Sequence, residues 1–319
     1  MPIIDADAHV VETEQTWSYL EGSEKKYQPT TKLMTDWSGP ANEVWVLGDH
    51  VLGSKFNAAT EERAEVHQER FGRRVATPQE SREMSDVSQR LADMDKLQID
   101  TQVLHNSFFI GPTTNRPEVE IALTGSWNRW MADIWKQGND RLRWSCVVPW
   151  QSPKEAIPQM QFAKENGAVA VCMRPFDQDR WMTDPFYYPI YEAAEKLGLP
   201  IGVHLANANP FMHKFLFNEI GRGFAQFRIP TVISCFTLIL SEIPKTFPNL
   251  KWGFIEVTCQ WVPWVLHEAV HRSAADGSEL PENPIRDFGI YVSTQTDDDF
   301  DYVISYIGDD NLMIGTDYG

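Results

Sequence analysis

The feature that most constrains the fold of this chain is a repeated alternation of short apolar runs with longer amphipathic segments. Each run has the length of a buried strand, and the segments between them carry apolar residues at helical spacing, such as Leu91, Met94 and Leu97. This alternation is typical of parallel strands joined by helices. Eight runs have this character: Ile3–Asp5, Thr101–His105, Leu142–Val148, Ala168–Arg174, Pro200–Leu205, Lys251–Glu256, Gly289–Thr294 and Asn311–Thr316.

Eight strands with interleaved helices predict an α/β fold, a closed (β/α)8 TIM barrel. An open doubly wound sheet is disfavoured, because neither glycine-rich phosphate loop, G-x-G-x-x-G or G-x-x-x-x-G-K-[ST], occurs in the sequence. Residues 21–89 are polar and highly charged, and we predict them to be an insertion after strand 1, with a small hairpin around Trp45 to Val51. The prediction is one domain over residues 1–319. Gly319 follows the eighth strand so closely that we expect the C-terminal part of the barrel to be missing from the chain.

The charge of the chain restricts its partners. Its 28 basic and 45 acidic residues give a net charge of −17, which would repel nucleic acid and anionic lipid, so we predict a small-molecule substrate and neither a nucleic-acid nor a membrane partner. The N-terminus lacks the pattern of a signal peptide, which predicts a cytoplasmic protein. The four cysteines lack C-x-x-C spacing and are predicted to be buried thiols. Apolar, tryptophan-rich helices are compatible with a homo- or hetero-oligomer.

Polar residues mark the carboxyl ends of five predicted strands, which is where a barrel of this kind places its active site. Side chains two residues apart on an extended strand point to the same side, so the acids and the histidine of the first strand can converge. Carboxylate and imidazole together suit a divalent ion such as zinc, manganese or iron. The residues concerned are Asp5, Asp7, His9, His105, His204, Glu256 and Asp317.

Five motifs in order resemble one family. They are I-D-A-D-A-H at the start, R-L-A-D-M-D-K-L-Q-I-D-T-Q-V-L before the second histidine-ended strand, G-V-H-L, F-I-E-V-T-C-Q-W-V-P-W and G-D-D-N-L-M-I-G-T-D-Y. They are similar to the amidohydrolase-related branch typified by aminocarboxymuconate-semialdehyde decarboxylase. The resemblance implies a metal-dependent barrel whose ligands are Asp7, His9, His204 and Asp317. Asp7 replaces the usual first histidine, and Glu256 stands where the decarboxylases place a catalytic histidine.

Several of these residues have a second interpretation. His105 is either a ligand or a hydrogen-bonded core histidine, and Asp5 either binds the ion or positions a residue that does. Glu256 can act in catalysis, hold a second ion with His105, or pair with Arg174 at the end of the fourth strand. One ion or two are both compatible with so many donors.

The remaining candidates surround these strand ends. Arg174, Asn207 and Trp261 are predicted to bind substrate, although a turn before Pro210 explains Asn207 equally well. Three histidines in helix-like or loop segments are interpreted as surface or packing residues: His213, His267 and His271.

These residues favour hydrolysis of a small organic acid or amide by a metal-activated water, with Asp317, Glu256 and His204 as the catalytic residues and Asp317 as the general base. Decarboxylation by the same site is a variant, which the replacement of the catalytic histidine by Glu256 argues against. The alternatives are a dinuclear manganese or iron oxygenase on the same barrel and a non-catalytic partner subunit with a structural metal.

Overall fold

The computed structural model describes residues 2–34, 42–55, 77–217 and 223–319. Eight parallel strands form the central sheet, and each is hydrogen-bonded to the next in chain order. The predicted (β/α)8 barrel is therefore confirmed. The eight strands are β1 (Ile4–His9), β5 (Thr101–His105), β6 (Leu142–Val147), β7 (Ala168–Met173), β10 (Ile201–His204), β11 (Trp252–Ile255), β12 (Ile290–Ser293) and β13 (Leu312–Met313).

The barrel closes where the last strand returns to the first. The Ala6 amide donates to the Ile314 carbonyl at 2.9 Å, and the Asp317 amide donates to the Asp7 carbonyl at 2.8 Å. Gly315 permits this close approach, because a Cβ there would collide with the Cβ of Asp7. Closure thus brings the two ends of the chain together at the mouth of the barrel.

Helices cover the outside of the strands. The helix that precedes β5 begins at Asp86, whose carboxylate accepts from the Ser88 and Gln89 amides, and it ends at Gln98 in the left-handed conformation. The helices are α1 (Glu14–Trp17), α2 (Gln79–Arg82), α3 (Val87–Leu97), α4 (Pro117–Gln137), α5 (Pro153–Glu165), α6 (Tyr188–Leu197), α7 (Pro210–Leu216), α8 (Ile229–Leu240), α9 (Ile243–Thr246), α10 (Val262–Asp276), α11 (Pro284–Asp287) and α12 (Phe300–Ile307). Short 3-10 segments span Gly22–Tyr27, Phe108–Ile110 and Pro185–Tyr187, and a π-helical turn spans Phe224–Arg228.

The core lies between these helices and the strands. Trp127 of α4 packs against Trp130 of the same helix and against Trp144 of β6, and all three are buried. Strands covered on both faces read as continuous apolar runs, which is why the sequence locates β6 and β7 well. The four cysteines are buried free thiols, as predicted. Among the described helices, none combines the length and apolarity that crossing a membrane requires.

The segment between β1 and β5 carries a small antiparallel sheet of β2 (Thr30–Met34), β3 (Asn42–Leu47) and β4 (His50–Ser54). The hairpin predicted around Trp45 and Val51 is formed by β3 and β4. Residues 35–41 and 56–76 of the predicted insertion lie outside the described residues. A second small ladder pairs β8 (Phe176–Asp177) with β9 (Arg180–Trp181).

Candidate functional site

Three buried side chains meet at the mouth of the barrel. Asp7 and His9 lie two residues apart on β1, and His204 ends β10. The Nε2 atom of His204 lies 3.4 Å from Oδ1 of Asp7, and Nε2 of His9 lies 3.7 Å from the same oxygen. The alternation of the first strand therefore places two of its three predicted donors on one centre, together with a histidine 195 positions after His9 in the chain (204 − 9).

Two further carboxylates complete this mouth cluster, which we define as Asp7, His9, His204, Glu256 and Asp317. Oε2 of Glu256 lies 3.9 Å from His9 Nε2 and 3.7 Å from His204 Nε2, and Oδ1 of Asp317 lies 3.8 Å from His9 Nε2. Both acids follow a strand and have a positive φ, +62° for Glu256 and +52° for Asp317. Such a conformation is unfavourable for a residue with a Cβ, and here it turns each carboxylate toward the cluster.

The histidine rings are oriented by their other nitrogens. Nδ1 of His204 donates to the Leu205 carbonyl at 3.3 Å. Nδ1 of His9 lies 3.3 Å from the hydroxyl of Ser107, which itself donates to the Val10 carbonyl and so accepts from the ring. Both Nε2 atoms are thereby left facing the carboxylates, which is the arrangement of metal-binding histidines.

Burial and mutual charge shift the pKa values of three residues in the mouth cluster. Burial opposes the charge of Asp7, but the hydrogen bond and charge of His204 outweigh it and lower the pKa of Asp7 to about 2. Burial opposes the charge of His204 too, yet Asp7 and Glu256 raise its pKa to about 9. Burial and the His204 charge lower the pKa of His9 to about 3. One proton on His204 therefore faces several carboxylates.

The pKa of Glu256 is also shifted strongly by burial and by its neighbours. Burial, followed by the charges of Asp317 and Asp7, outweighs the attraction of His204 and raises the pKa of Glu256 to about 8. No lysine or arginine nitrogen of the described residues lies within 4.0 Å of the Asp7 or Glu256 carboxylates. The donors form two triads that share His9, namely Asp7–His9–His204 and His9–Glu256–Asp317. Imidazole and carboxylate donors at such spacing suit a divalent cation, so the donor set fits the ion that the sequence predicts.

His105 lies beside the mouth cluster, and the structure does not leave it a free nitrogen. Its ring centroid is 5.0 Å from that of His204. Nε2 donates to the Ala6 carbonyl at 3.0 Å, and Nδ1 accepts from the Ser145 hydroxyl at 2.9 Å. The ligand interpretation is corrected to that of a hydrogen-bonded core histidine, because one ring nitrogen donates to a protein carbonyl and the other accepts from a protein hydroxyl.

The Asp5 carboxylate also binds protein groups outside the mouth cluster. Pairing of β1 with β5 shifts register between Asp5 and Ala8. The two carboxylate oxygens of Asp5 accept from the amide and hydroxyl of Thr316, at 2.9 and 2.6 Å, and from the side chain of Gln102, at 2.9 Å. Asp5 therefore joins the first strand to the last, and its interpretation as a positioning residue replaces that of a ligand.

Arg174 does not pair with Glu256. It is buried between Glu120 of α4, at 3.1 Å, and Asp177, with which it forms a very short bond. We call Arg174, Glu120 and Asp177 the arginine cluster. Two buried carboxylates already pair with the Arg174 guanidinium. Arg174 is therefore neither the partner of Glu256 nor a binding group for a substrate anion, and both predictions are corrected.

The polar side-chain atoms of Asn207 and Trp261 also form hydrogen bonds within the protein. The Asn207 amide donates to the Gln226 carbonyl at 3.0 Å, and its oxygen accepts from the Asn209 amide at 3.0 Å, which is the turn that the sequence offered as the alternative. Trp261 Nε1 donates to the Val257 carbonyl at 3.0 Å. The polar atoms of both side chains are thus engaged by the protein, and a role of the Trp261 ring in substrate binding stays a prediction.

Two cavities adjoin the barrel mouth in the part of the chain that the structure describes. The smaller, of about 260 Å³, lies between the insertion hairpin, the loop after β5 and α7. Ser107 in its wall contacts His9, and His213, interpreted from sequence as a surface or packing residue, also lines it. The larger, of about 520 Å³, is lined by the hairpin tip and residues 112–116. Neither lining includes a residue of the mouth cluster, but the smaller cavity contains Ser107, the direct partner of His9. We therefore regard the smaller cavity as the one relevant to the site.

Sequence reasoning missed Ser107, Ser145, Thr316 and Gln102. These uncharged residues hold the rings and Asp5 in place. A hydroxyl residue beside a strand end was the only signal that they offered, and such residues are common in loops.

Comparison with known proteins assigns the fold to a family. The pattern of the amidohydrolase family matches residues 4–318. The chain belongs to the amidohydrolase family. It is therefore an enzyme of a divalent-metal-dependent family, a hydrolase or a carboxy-lyase, as the sequence predicted. No curated protein matches the chain.

Solved structures share the barrel at low sequence identity. An amidohydrolase from Mycobacterium avium subsp. paratuberculosis superposes with a TM-score of 0.75 at 19% identity, over 99% of this chain and 89% of that one. A 5-carboxyvanillate decarboxylase from Novosphingobium aromaticivorans, complexed with manganese, gives 0.67 at 19%, over 99% and 86%. A 2,6-dihydroxybenzoate decarboxylase from Rhizobium gives 0.64 at 17%, over 99% and 88%. These likenesses concern the fold.

Proposed function

We propose that this amidohydrolase hydrolyses a small organic acid derivative or amide at a divalent ion held by Asp7, His9, His204 and Asp317. The observation that carries the proposal is that two triads of donors, Asp7–His9–His204 and His9–Glu256–Asp317, share His9 at the barrel mouth, and the first of them is buried. When bound, a divalent ion supplies Lewis-acid polarisation and lowers the pKa of a coordinated water toward about 7.

The residues of the mouth cluster then divide the proton transfers. Asp317, the most exposed of the three carboxylates, accepts a proton from the attacking water as its oxygen bonds to the carbonyl carbon. Glu256, whose raised pKa favours the protonated form, donates a proton to the leaving nitrogen or oxygen as its bond to that carbon breaks. The two acids lie close enough for the proton on Asp317 to return to Glu256, which restores the starting state.

Decarboxylation is the second candidate, because the same property of Glu256 supports it. A carboxyl group held neutral by burial can protonate the carbon that loses carbon dioxide, and solved barrels of similar fold include two decarboxylases. We rank hydrolysis first because Glu256 stands where decarboxylases of the resembling branch carry a histidine. An oxygenase would require two redox-active ions in place of one Lewis acid.

The experiment is a metal-by-substrate screen. The protein is stripped with chelator, reloaded separately with zinc, manganese or iron, and assayed on esters, lactones and amides of small acids and on hydroxybenzoic acids for carbon dioxide release. We expect ester or amide cleavage with about one ion per chain. Oxygen consumption with two iron or manganese ions would contradict the proposal, and so would carbon dioxide release without hydrolysis. The variant His267→Ala removes an exposed histidine and serves as the control for His204→Ala.

A further inference from the structure

The turn that carries Glu256 is held in an unfavourable backbone conformation. Glu256 has φ +62° and Thr258 has φ +59°, and both have side chains that disfavour the left-handed region. Such a conformation is unfavourable, and it persists only where its surroundings fix it. Some part of the molecule must therefore hold residues 256–258.

One carboxylate from a different loop does this. Asp298, which follows β12, accepts a very short hydrogen bond from the Thr258 hydroxyl, and its second oxygen accepts from the Cys259 amide at 3.1 Å and faces the Cys259 thiol at 3.2 Å. These bonds outweigh the burial of Asp298 and keep its pKa below the ordinary value, so the charged form accepts them all. Asp298 thus binds the chain at Thr258, two residues after Glu256.

The Asp298 carboxylate also binds the backbone of its own loop, which follows β12. Asp298 accepts from the Gln295 amide at 2.8 Å, and the Gln295 side chain accepts from Arg228 at 3.4 Å. Arg228 is the cation whose charge acts on Glu256 from outside the mouth cluster. A second brace on the turn comes from Trp261, which donates to the Val257 carbonyl at 3.0 Å.

We propose that Asp298 is a positioning residue, which fixes the turn 256–258 and so aims the Glu256 carboxylate at the two histidine Nε2 atoms. This inference rests on the proposed function only in the consequence it assigns to Glu256, and not in the geometry. It predicts that the bonds to Thr258 and Cys259 matter more for turnover than for stability or for substrate binding.

The test compares Asp298→Asn with Asp299→Asn. Asp299 is the neighbouring carboxylate, which caps α12 by accepting from the Tyr302 amide at 3.0 Å, and asparagine is an equally good cap. Crystal structures of both variants are determined with manganese, and kcat and KM are measured for each. Thr258→Val and Thr258→Ser form a second pair, which remove and retain the hydroxyl and serve if Asp298→Asn does not fold.

We expect Glu256 to leave its position 3.7 to 3.9 Å from the histidines in Asp298→Asn and Thr258→Val, and to keep it in Asp299→Asn and Thr258→Ser. With Glu256 displaced, kcat should fall by about 100-fold while KM changes little, since misplacement by an ångström has that effect. In the Glu256→Gln background, Asp298→Asn should add no further loss. Glu256 unmoved in Asp298→Asn would overturn the proposal. Glu256 displaced with kcat unchanged would support the positioning role and contradict the catalytic role proposed for Glu256.

Discussion

Two groups of charged residues lie near the strand ends of the same barrel, and they differ in the partners that their carboxylates contact. In the arginine cluster, the guanidinium of Arg174 contacts the carboxylates of Glu120 and Asp177 directly. In the mouth cluster, carboxylates face imidazoles across 3.4 to 3.9 Å, and no lysine or arginine of the described residues contacts Asp7 or Glu256. The first group is largely completed by the protein, whereas the second is arranged to receive a cation.

The burial of a charge is therefore a poor guide to its function without its partners. The arginine cluster and the Asp7, His9 and His204 side chains of the mouth cluster are buried, and both groups contain an acid with a raised pKa. In the arginine cluster, burial and Asp177 raise the pKa of Glu120 to about 7 although the cation touches it. The distinguishing property of the mouth cluster is that imidazole and carboxylate donor atoms lie within 4.8 Å of one another in each of its two triads.

The largest expected effect is the loss of metal binding and activity when a histidine of the mouth cluster is removed. His204→Ala should abolish activity and weaken metal binding by more than about 100-fold, since even a residue that only supports a ligand contributes 10- to 100-fold. The measurement is metal content after dialysis together with turnover. His267→Ala, at an exposed histidine, should retain both. Full metal content in His204→Ala would show that the two groups do not differ in this way.

The arginine cluster should respond in stability and not in metal binding. Arg174→Met leaves two buried carboxylates without their cation, and we expect it to lower the free energy of unfolding by about 3 to 5 kcal/mol. Urea denaturation measures the change, and metal content of the folded variant should equal that of the unmodified protein. Loss of metal at unchanged stability would reverse the roles that we assign to the two clusters.

The pH dependence of metal binding gives a smaller and more specific effect. The pKa of His204 is raised to about 9, so its proton is held in the folded protein above the ordinary pKa and competes with the ion. Stability from the protonated His204 and Asp7 pair is present below about pH 6.5 and is lost as pH rises through about 9. Metal affinity should instead rise over this interval, by about 10-fold per pH unit for each proton released.

Calorimetric titration of chelator-treated protein with zinc at pH 6.5, 7.5 and 8.5 measures this affinity, and repeating it in buffers of different ionisation enthalpy counts the protons released. His213→Ala changes a histidine outside the mouth cluster and should show the same slope. A metal affinity that does not change with pH would mean that no protonated group of the mouth cluster yields to the ion.

The smallest expected effect concerns Glu12, a buried acid that has no lysine or arginine nitrogen within 4.0 Å among the described residues. Burial raises the pKa of Glu12 to about 7, although its carboxylate accepts from Trp127 Nε1 at 2.9 Å and from the Ser107 amide at 3.2 Å. Because the folded pKa exceeds the unfolded one, stability is fully present below about pH 4.5 and falls as pH rises through about 7.

Glu12→Gln keeps an acceptor oxygen and removes the charge, so it should stabilise the protein by about 1 to 3 kcal/mol at pH 8.5 and by almost nothing at pH 4.5. Thermal unfolding at the two pH values measures the difference. A variant that is less stable than the unmodified protein at pH 8.5 would show that the Glu12 charge is compensated.

The fold could be predicted from the sequence because buried parallel strands are continuous apolar runs and the connecting helices repeat at a different period. The strand-end residues of the mouth cluster could be named for the same reason, since parallel strands of a barrel end at one rim. Alternation along β1 correctly brought Asp7 and His9 together. These inferences depend only on local pattern and on topology.

The errors concern partners that are distant in the sequence. Arg174 meets Glu120, a residue 54 positions earlier on a helix, and Asp5 meets Thr316 across the closure of the barrel. His105 has the position of a ligand in the sequence, but Ser145 and Ala6 bind its two ring nitrogens in the structure. Whether a polar side chain is already hydrogen-bonded is decided by packing between elements, and a single sequence does not contain that information.

The central claim is most directly tested by the anomalous difference map of a crystal loaded with manganese or zinc. The account predicts a peak for one divalent ion at the mouth cluster, with Asp7, His9, His204 and Asp317 at about 2.0 to 2.3 Å. A map without a peak there at saturating metal, or with the ion bound elsewhere in the chain, would contradict it.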